Sequence, residues 1–201
     1  MKILHISDTH SKHRLLELPK GDVVIHSGDF TFGGSERERH AFIQWFCELP
    51  YKHKIFIAGN HDSCMCGVEA IQELPENVYY LCNSSVTIEG VKFYGVPMFM
   101  EDILEEKYDC LFEKIPQDTD VLITHQPPYG ILDGGDYKGQ PYHYGNKILL
   151  NRVKQVKPRF HLFGHDHNVY GVTSEDGITF SNAAVVDEKY NFCRQANELD
   201  F

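Results

Sequence analysis

Short apolar runs punctuate the chain, and five of them stop abruptly in polar residues. Ile3 to Ile6, Val23 to Ile25, Ile55 to Ile57, Val121 to Ile123 and Phe160 to Phe163 are β-branched or aromatic in character and read as strands. Helical spacing lies between them. Ser35 with Glu38 forms a capping box, and Phe42, Trp45, Phe46 and Leu49 then recur at helical intervals up to Pro50, a stripe best read as core packing. Val68, Ile71 and Leu74 predict a second helix closed by Pro75. Leu104, Tyr108, Leu111 and Phe112 predict a third, and Ile148, Leu149, Val153 and Val156 a fourth ending before Pro158. Two hairpins are expected, Val86–Ile88 with Val91–Tyr94 around Glu89-Gly90, and Val169–Val172 with Ile178–Phe180 around Asp176-Gly177. A single sheet holding so many strands would tend to split into two packed layers. The expected fold is therefore α/β, a four-layer α/β/β/α sandwich of two mixed sheets flanked by helices, in one domain spanning residues 1–201.

Two stretches fit no element. Residues 129–145 carry five glycines and the tyrosines Tyr129, Tyr137, Tyr142 and Tyr144, which reads as a long functional loop, a rim or lid. Tyr190 to Phe201 has no clear pattern and is expected to form a last strand or to fray.

Composition narrows the partners. Nineteen basic against 29 acidic residues give a formal charge of −10, which disfavours a nucleic-acid duplex or an anionic membrane as partner, because both require a basic face. A phosphate-bearing substrate stays open, since bound divalent cations would invert the local charge. No apolar run approaches the ~18 residues of a membrane span. The chain enters a strand at once, so no leader peptide is expected, and six cysteines without a Cys-x-x-Cys pair suit free thiols in a cytoplasmic protein.

The polar residues that end the five runs change the picture. They are Asp8-Thr9-His10, Gly28-Asp29, Gly59-Asn60-His61-Asp62, His125, and Gly164-His165-Asp166-His167. Ligands of open α/β sheets bind outside the carboxyl ends of strands, so five such clusters predict one convergent site. Carboxylate, imidazole and amide are mixed nitrogen and oxygen donors that suit Mn, Fe, Zn, Ni or Co, manganese first, better than Ca or Mg. Asp8 and His10 stand two apart, as do His165 and His167, so each pair would share one face of an extended segment. Eight groups are too many for one ion with an open position and about right for two ions with one histidine left for chemistry. A shared carboxylate can hold two cations ~3.5–4 Å apart for in-line displacement at phosphorus. His5, His26 and His161 lie inside the runs and read as hydrogen-bonded core histidines.

Taken together, the five clusters resemble the motifs of the calcineurin-like metallophosphoesterases. Ile6-Ser7-Asp8-Thr9-His10-Ser11, Ile57-Ala58-Gly59-Asn60-His61 and Asn182-Ala183-Ala184-Val185 with Asp187-Glu188 resemble its small metallophosphoesterase-domain subgroup. The resemblance implies that Asp8, His10 and His167 bind one metal, Asn60, His125 and His165 a second, and that Asp29 bridges them. It makes His61 the catalytic histidine, with Asp62 orienting it by a hydrogen bond. It further implies hydrolysis of a small phosphodiester, with cyclic nucleotides among the candidates, by water activated between the ions. A phosphomonoesterase is the alternative, and a metal-stabilised binding protein a third reading. Arg14, Tyr129 and His143 are the candidate substrate contacts.

Overall fold

Alternate residues of the central strands face two different apolar layers, and this decides the architecture. The computed structural model describes the backbone of residues 1–201 and the side chains of all but residues 136 and 137. In the first sheet β1 (Lys2–Ile6), β2 (Val23–His26), β3 (His53–Phe56) and β4 (Val78–Tyr80) pair in parallel in that order. There β13 (Asn197–Asp200) lies antiparallel on the other side of β1. The second sheet runs β11 (Gly171–Glu175), β12 (Ile178–Asn182), β10 (Phe160–Phe163), β7 (Val121–Thr124), β6 (Val91–Val96), β5 (Ser84–Ile88). Its four inner strands are parallel and an antiparallel hairpin closes each edge.

Ile3, Val23, Ile25 and Ile55 of the first sheet meet Phe93, Val121, Ile123 and Leu162 of the second in a shared core. The intervening residues point the other way. Leu4, Ile6, Val24 and Phe56 pack on Phe42, Trp45 and Phe46 of α1 (Glu36–Glu48). Tyr94, Leu122, Phe163 and Phe180 pack on Tyr108 and Phe112 of α3 (Tyr108–Glu113) and on Leu149 and Val153 of α4 (Lys147–Val156). Three apolar layers separate four structural ones, the α/β/β/α sandwich expected from the sequence. Each fully buried aliphatic or aromatic side chain contributes ~1.5–3 kcal/mol, so strands buried on both faces hold the centre firmly.

Three expectations need correction. No helix forms over residues 68–74. Val68, Ile71 and Leu74 do pack against the α1 layer, but Glu73 sits at φ 66° and Pro75 follows, leaving too few residues to nucleate a helix. The third helix is two, α2 (Met100–Leu104) and α3, broken where Glu106 turns left-handed at φ 57°. Leu104 is then 78% exposed and contributes nothing to the stripe. Residues 129–145 are not irregular throughout, for β8 (Gly134–Tyr137) and β9 (Gln140–His143) form a hairpin there. The side chain of Tyr137 lies outside the described residues. The C-terminal stretch resolves as a strand, β13, rather than a frayed end. All six cysteines are free, and no helix among the described residues is long and apolar enough to cross a membrane.

The strand histidines are buried and hydrogen-bonded. His5 crosses the inter-sheet layer, with Nδ1 2.8 Å from Ser181 Oγ and Nε2 2.8 Å from Ser27 Oγ. His26 accepts the Gly28 N–H at Nδ1, so its Nε2 carries the hydrogen given to Thr9 Oγ1. His161 Nε2 lies 2.9 Å from Thr124 Oγ1, whose own proton goes to the Gln126 carbonyl. Burial pushes all three down to about 3 from the ordinary 6.5. The unfolded chain therefore binds more protons than the native one between about pH 3 and 6.5, so stability rises with pH across that window and is fully present above it. Each histidine contributes at most ~1.4 kcal/mol per pH unit. In the presence of a chelator, the urea midpoint is expected to fall steadily as pH drops from 6.5 toward 4. A flat profile would show that these imidazoles are not buried neutral.

Candidate metal centre

The carboxyl ends of β1, β2, β3, β7 and β10 arrive at one edge, where the two sheets are stitched together. Ser7 leaves β1 to pair with Ala184, donating its N–H to Ala183 O at 2.9 Å and accepting from Val185 N at 3.1 Å. Beyond this stitch the chain turns sharply. Asp8, His10, Asp29 and His165 adopt φ of 53°, 41°, 57° and 69°, a region that non-glycine residues rarely enter. Asp8 and His10 therefore do not converge as alternate residues of an extended segment; left-handed turns aim them. His165 and His167 part company for the same reason, His165 turning toward Asn60 and His167 toward Asp8. Two motif glycines are required by close approach. A Cβ on Gly59 would lie 2.2 Å from Asp29 Oδ1, and one on Gly164 2.0 Å from Asp8 Oδ2.

The donor atoms form two adjoining groups. In one, His167 Nε2 lies 3.2 Å from Asp8 Oδ1 and 3.3 Å from His10 Nε2, and His10 Nε2 lies 3.8 Å from Asp29 Oδ2. In the other, Asn60 Oδ1 lies 3.1 Å from His125 Nε2 and 3.0 Å from His165 Nδ1, and His125 Nε2 lies 3.3 Å from Asp29 Oδ2. Asp29 belongs to both.

Protonation shows what this crowd requires. His10, His125 and His167 each present Nδ1 to a backbone carbonyl, of Thr31 at 3.1 Å, Ser27 at 2.9 Å and Asp187 at 3.2 Å. A carbonyl only accepts, so each Nδ1 carries hydrogen and each neutral Nε2 offers a lone pair. Lone pairs of three imidazoles thus face carboxylate and amide oxygens with no hydrogen between them. A cation resolves that repulsion, and divalent metals fit the mixed donor set. Without metal, protons take part of this role. Burial opposes charge on His125, but the bonded Asp29 carboxylate raises it to about 9. Burial also opposes charge on Asp8 and Asp29, yet the facing histidines hold both below the ordinary carboxylate range. Burial keeps His10 and His165 down near about 4, ready as neutral ligands.

His61 stands beside these groups, its ring 4.7 Å from that of His10 and its Nδ1 bonded to the Phe32 carbonyl at 2.9 Å. Asp62 does not hydrogen-bond the His61 ring as expected. Its buried carboxylate accepts instead from the N–H groups of Asp29, Thr31 and Gly59, each at 2.8 Å, from Phe30 N at 3.3 Å and from Thr31 Oγ1 at 2.8 Å. It ties the Asp29 turn to the Gly59 turn. Burial, reinforced by the nearby Asp29 charge, raises Asp62 to about 7 despite these donors.

An open hollow of about 350 Å³ faces the donors, lined by Asp29, Asn60, His61, His165 and His167, with Tyr144, Asp166, Asn168, Glu188 and Tyr190 completing the wall. Arg14 is exposed and does not line it. The Tyr129 and His143 rings pack against each other at 4.8 Å with their planes tilted by 50°, and His143 Nδ1 lies 2.9 Å from Asp133 Oδ1, which fastens the hairpin rather than the hollow. Among the described side chains of the tyrosine-rich segment, Tyr144 is the one that lines the hollow. Asp166 and Asn168 were foreshadowed only by standing next to ligands in sequence. Tyr190, whose ring lies 4.8 Å from His10, carried no sequence signal.

A family model described as calcineurin-like phosphoesterase matches residues 1–169. A UPF0046 protein of Caenorhabditis elegans is 37% identical over 99% of this chain and 72% of its own length. Metallophosphoesterase domain-containing protein 1 of Homo sapiens is 37% identical over 92% of this chain and 66% of its own. One solved structure superposes with a TM-score of 0.62 at 18% identity, covering 90% of this chain and 89% of that one. A putative 5'-nucleotidase from Staphylococcus aureus shares the fold with a TM-score of 0.53 at 12% identity, over 98% of this chain and 53% of that protein.

Because Asp62 holds two donor-bearing turns by hydrogen bonds, Asp62→Ala is expected to lower stability by about 3 kcal/mol and to weaken metal binding with Asp8, His10 and His167 untouched. Urea unfolding with and without Mn²⁺, beside metal titration, checks both effects. Wild-type metal affinity in the variant would remove Asp62 from this role.

Proposed function

The chain belongs to the calcineurin-like phosphoesterase family, and on that premise we propose that it hydrolyses phosphodiesters of small molecules, cyclic nucleotides among the candidates, with two divalent cations, manganese first. Asp8, His10 and His167 would hold one ion, Asn60, His125 and His165 the other, and Asp29 both. When bound, such a pair acidifies water into a nucleophile and neutralises the phosphoryl oxygens.

The observation that favours a diester is the wall of the hollow. Among the described residues lining it, none is lysine or arginine, while Asp166 and Glu188 are acidic. A monoester dianion carries a further charge that phosphate sites usually meet with a fork of arginine or a lysine. A diester monoanion needs only what the two cations supply, and its second ester group is neutral enough to sit against the wall.

His61 suits proton transfer. Its Nδ1 is engaged by the Phe32 carbonyl, so Nε2 is the atom able to hold the proton passed to the departing alkoxide. Phe32 packs edge-on against Tyr190 at 5.2 Å, and Tyr190 against the His10 ring. These rings shield one side of the donors from water, which strengthens electrostatic interactions there.

With Mn²⁺ supplied, bis(p-nitrophenyl) phosphate is expected to exceed p-nitrophenyl phosphate in kcat/KM by at least ~10-fold. The reverse order would make the protein a monoesterase, and no turnover of either with metals bound would make it a binding protein. His61→Ala is expected to keep both metals by elemental analysis and to lose ~10²–10⁴ in kcat. Asp29→Ala should lose metal as well as rate, and His61→Ala turning over at the wild-type rate would overturn the proton-transfer role.

A further inference from the structure

One carboxylate in the hollow is left unused by the metal centre and by the fold. Asp166 lines the hollow and is only 2% exposed. Its Oδ1 accepts the Asn168 N–H at 2.9 Å, but its Oδ2 is buried without a hydrogen-bond partner among the described residues. Buried polar atoms almost always find a donor, and a carboxylate oxygen left without one is costly. A donor carried by something that enters the hollow would satisfy Oδ2.

The rest of this wall narrows what that is. Glu188 lines the same hollow, is exposed, and makes no ion pair among the described residues. The Tyr142 hydroxyl accepts from Asn168 Nδ2 at 3.0 Å and lies close enough to Asp166 and Glu188 to be acted on by both. Tyr144 packs edge-on against Tyr142 at 4.9 Å and leaves 56% of its surface open, and Tyr190 closes the far side. Glu188 also lines an adjoining hollow with Lys189 and Arg194, where Arg194 Nη1 is held by the carbonyls of His167, Ala184 and Val186. Two carboxylates and aromatic faces in a hollow that no described lysine or arginine lines are the components of an ammonium site.

We infer that Asp166 and Glu188, with Tyr144 beside them, form a subsite for a primary ammonium group carried on the substrate's second ester arm. The natural substrate class is then a zwitterionic aminoalkyl phosphodiester, its phosphate toward the metal ligands and its ammonium toward this wall. The inference rests on the phosphodiesterase reading above and adds the chemistry of the group that the metals do not touch. A hydroxyl would satisfy Asp166 Oδ2 but leave Glu188 unanswered. A quaternary ammonium would answer the charge but has no N–H for Oδ2. A primary ammonium does both, through a charge-assisted bond roughly twice as strong as a neutral one.

Binding separates this from turnover. On the Mn²⁺-loaded protein, calorimetry with 2-aminoethylphosphonate and with propylphosphonate, both resistant to hydrolysis, compares an ammonium with a methyl on the same chain. The aminoethyl compound is expected to bind at least ~10-fold more tightly. The ratio is expected to fall toward one in Asp166→Asn and to shrink in Glu188→Gln. Because the ratio compares two ligands on one protein, any loss of metal in Asp166→Asn affects both alike, and Glu188→Gln leaves every donor side chain of the metal centre in place. Equal binding in the wild type, or a preference that survives both substitutions, overturns the subsite. If bis(p-nitrophenyl) phosphate is turned over in that same preparation, only the subsite fails. A clear aminoethyl preference in a protein that turns over no diester would uphold the subsite and sink the phosphodiesterase reading instead.

Discussion

Lone pairs that repel one another are held face to face at the edge where two sheets meet, and the local structure is arranged around that constraint. His10 and His167 bring Nε2 atoms to 3.3 Å, and His125 sets its Nε2 against Asn60 and Asp29 oxygens at 3.1 and 3.3 Å. Neutral tautomers do not relieve the contacts of these imidazoles with one another and with the carboxylates, because the Nδ1 hydrogens are already given to backbone carbonyls. The turns that carry the ligands must therefore be kept from relaxing. Asp62 does so from beneath, gathering four N–H groups of two turns onto one buried carboxylate, and the Ser7–Ala184 bridge does so from the side, locking the ends of the sheets. The left-handed conformations of Asp8, His10, Asp29 and His165 are the strain that remains.

Much of this was legible in the residue pattern because burial on two faces leaves a strong trace. A strand covered on both sides is continuous in apolar residues, so β1, β2, β3, β7 and β10 announced themselves and their polar ends marked the site. Helices α1 and α4 were equally plain from their apolar stripes, and the Ser35–Glu38 capping box forms at α1 as its sequence implies; the Asn146 cap on the N–H groups of Ile148 and Leu149 came only with the structure. Periodicity failed where a segment packs without repeating. Val68, Ile71 and Leu74 are spaced like a helix and meet the core, but the backbone between them is irregular.

The site shows the same division. Residue types indicated which atoms could bind metal, yet not how they are aimed, because backbone handedness at Asp8 or His165 is decided by neighbours distant in sequence. Asp62 illustrates the difference most clearly. Its place next to His61 suggested service to the histidine ring, whereas its bonds reach thirty residues back to the Asp29 turn. Adjacency in sequence misled there, and it was equally silent about Tyr190, which arrives from the far end of the chain.

The strand histidines connect folding to this centre more closely than their place in the core suggests. His5 is bonded to Ser27 Oγ, and the carbonyl of that same Ser27 sets the tautomer of His125. His26 takes the Gly28 N–H one residue before Asp29 and reaches Thr9, between the donor residues Asp8 and His10. His161 bonds to Thr124, the residue before His125. Each buried imidazole thus stands one hydrogen bond behind a ligand-bearing turn, where a leucine would pack as well but orient nothing. Placing polar side chains in strands buried on both faces costs stability that an all-apolar core would not lose. What it provides is a set of directional bonds running from the inter-sheet core to the turns, and those turns are where left-handed backbone and crowded lone pairs most need support.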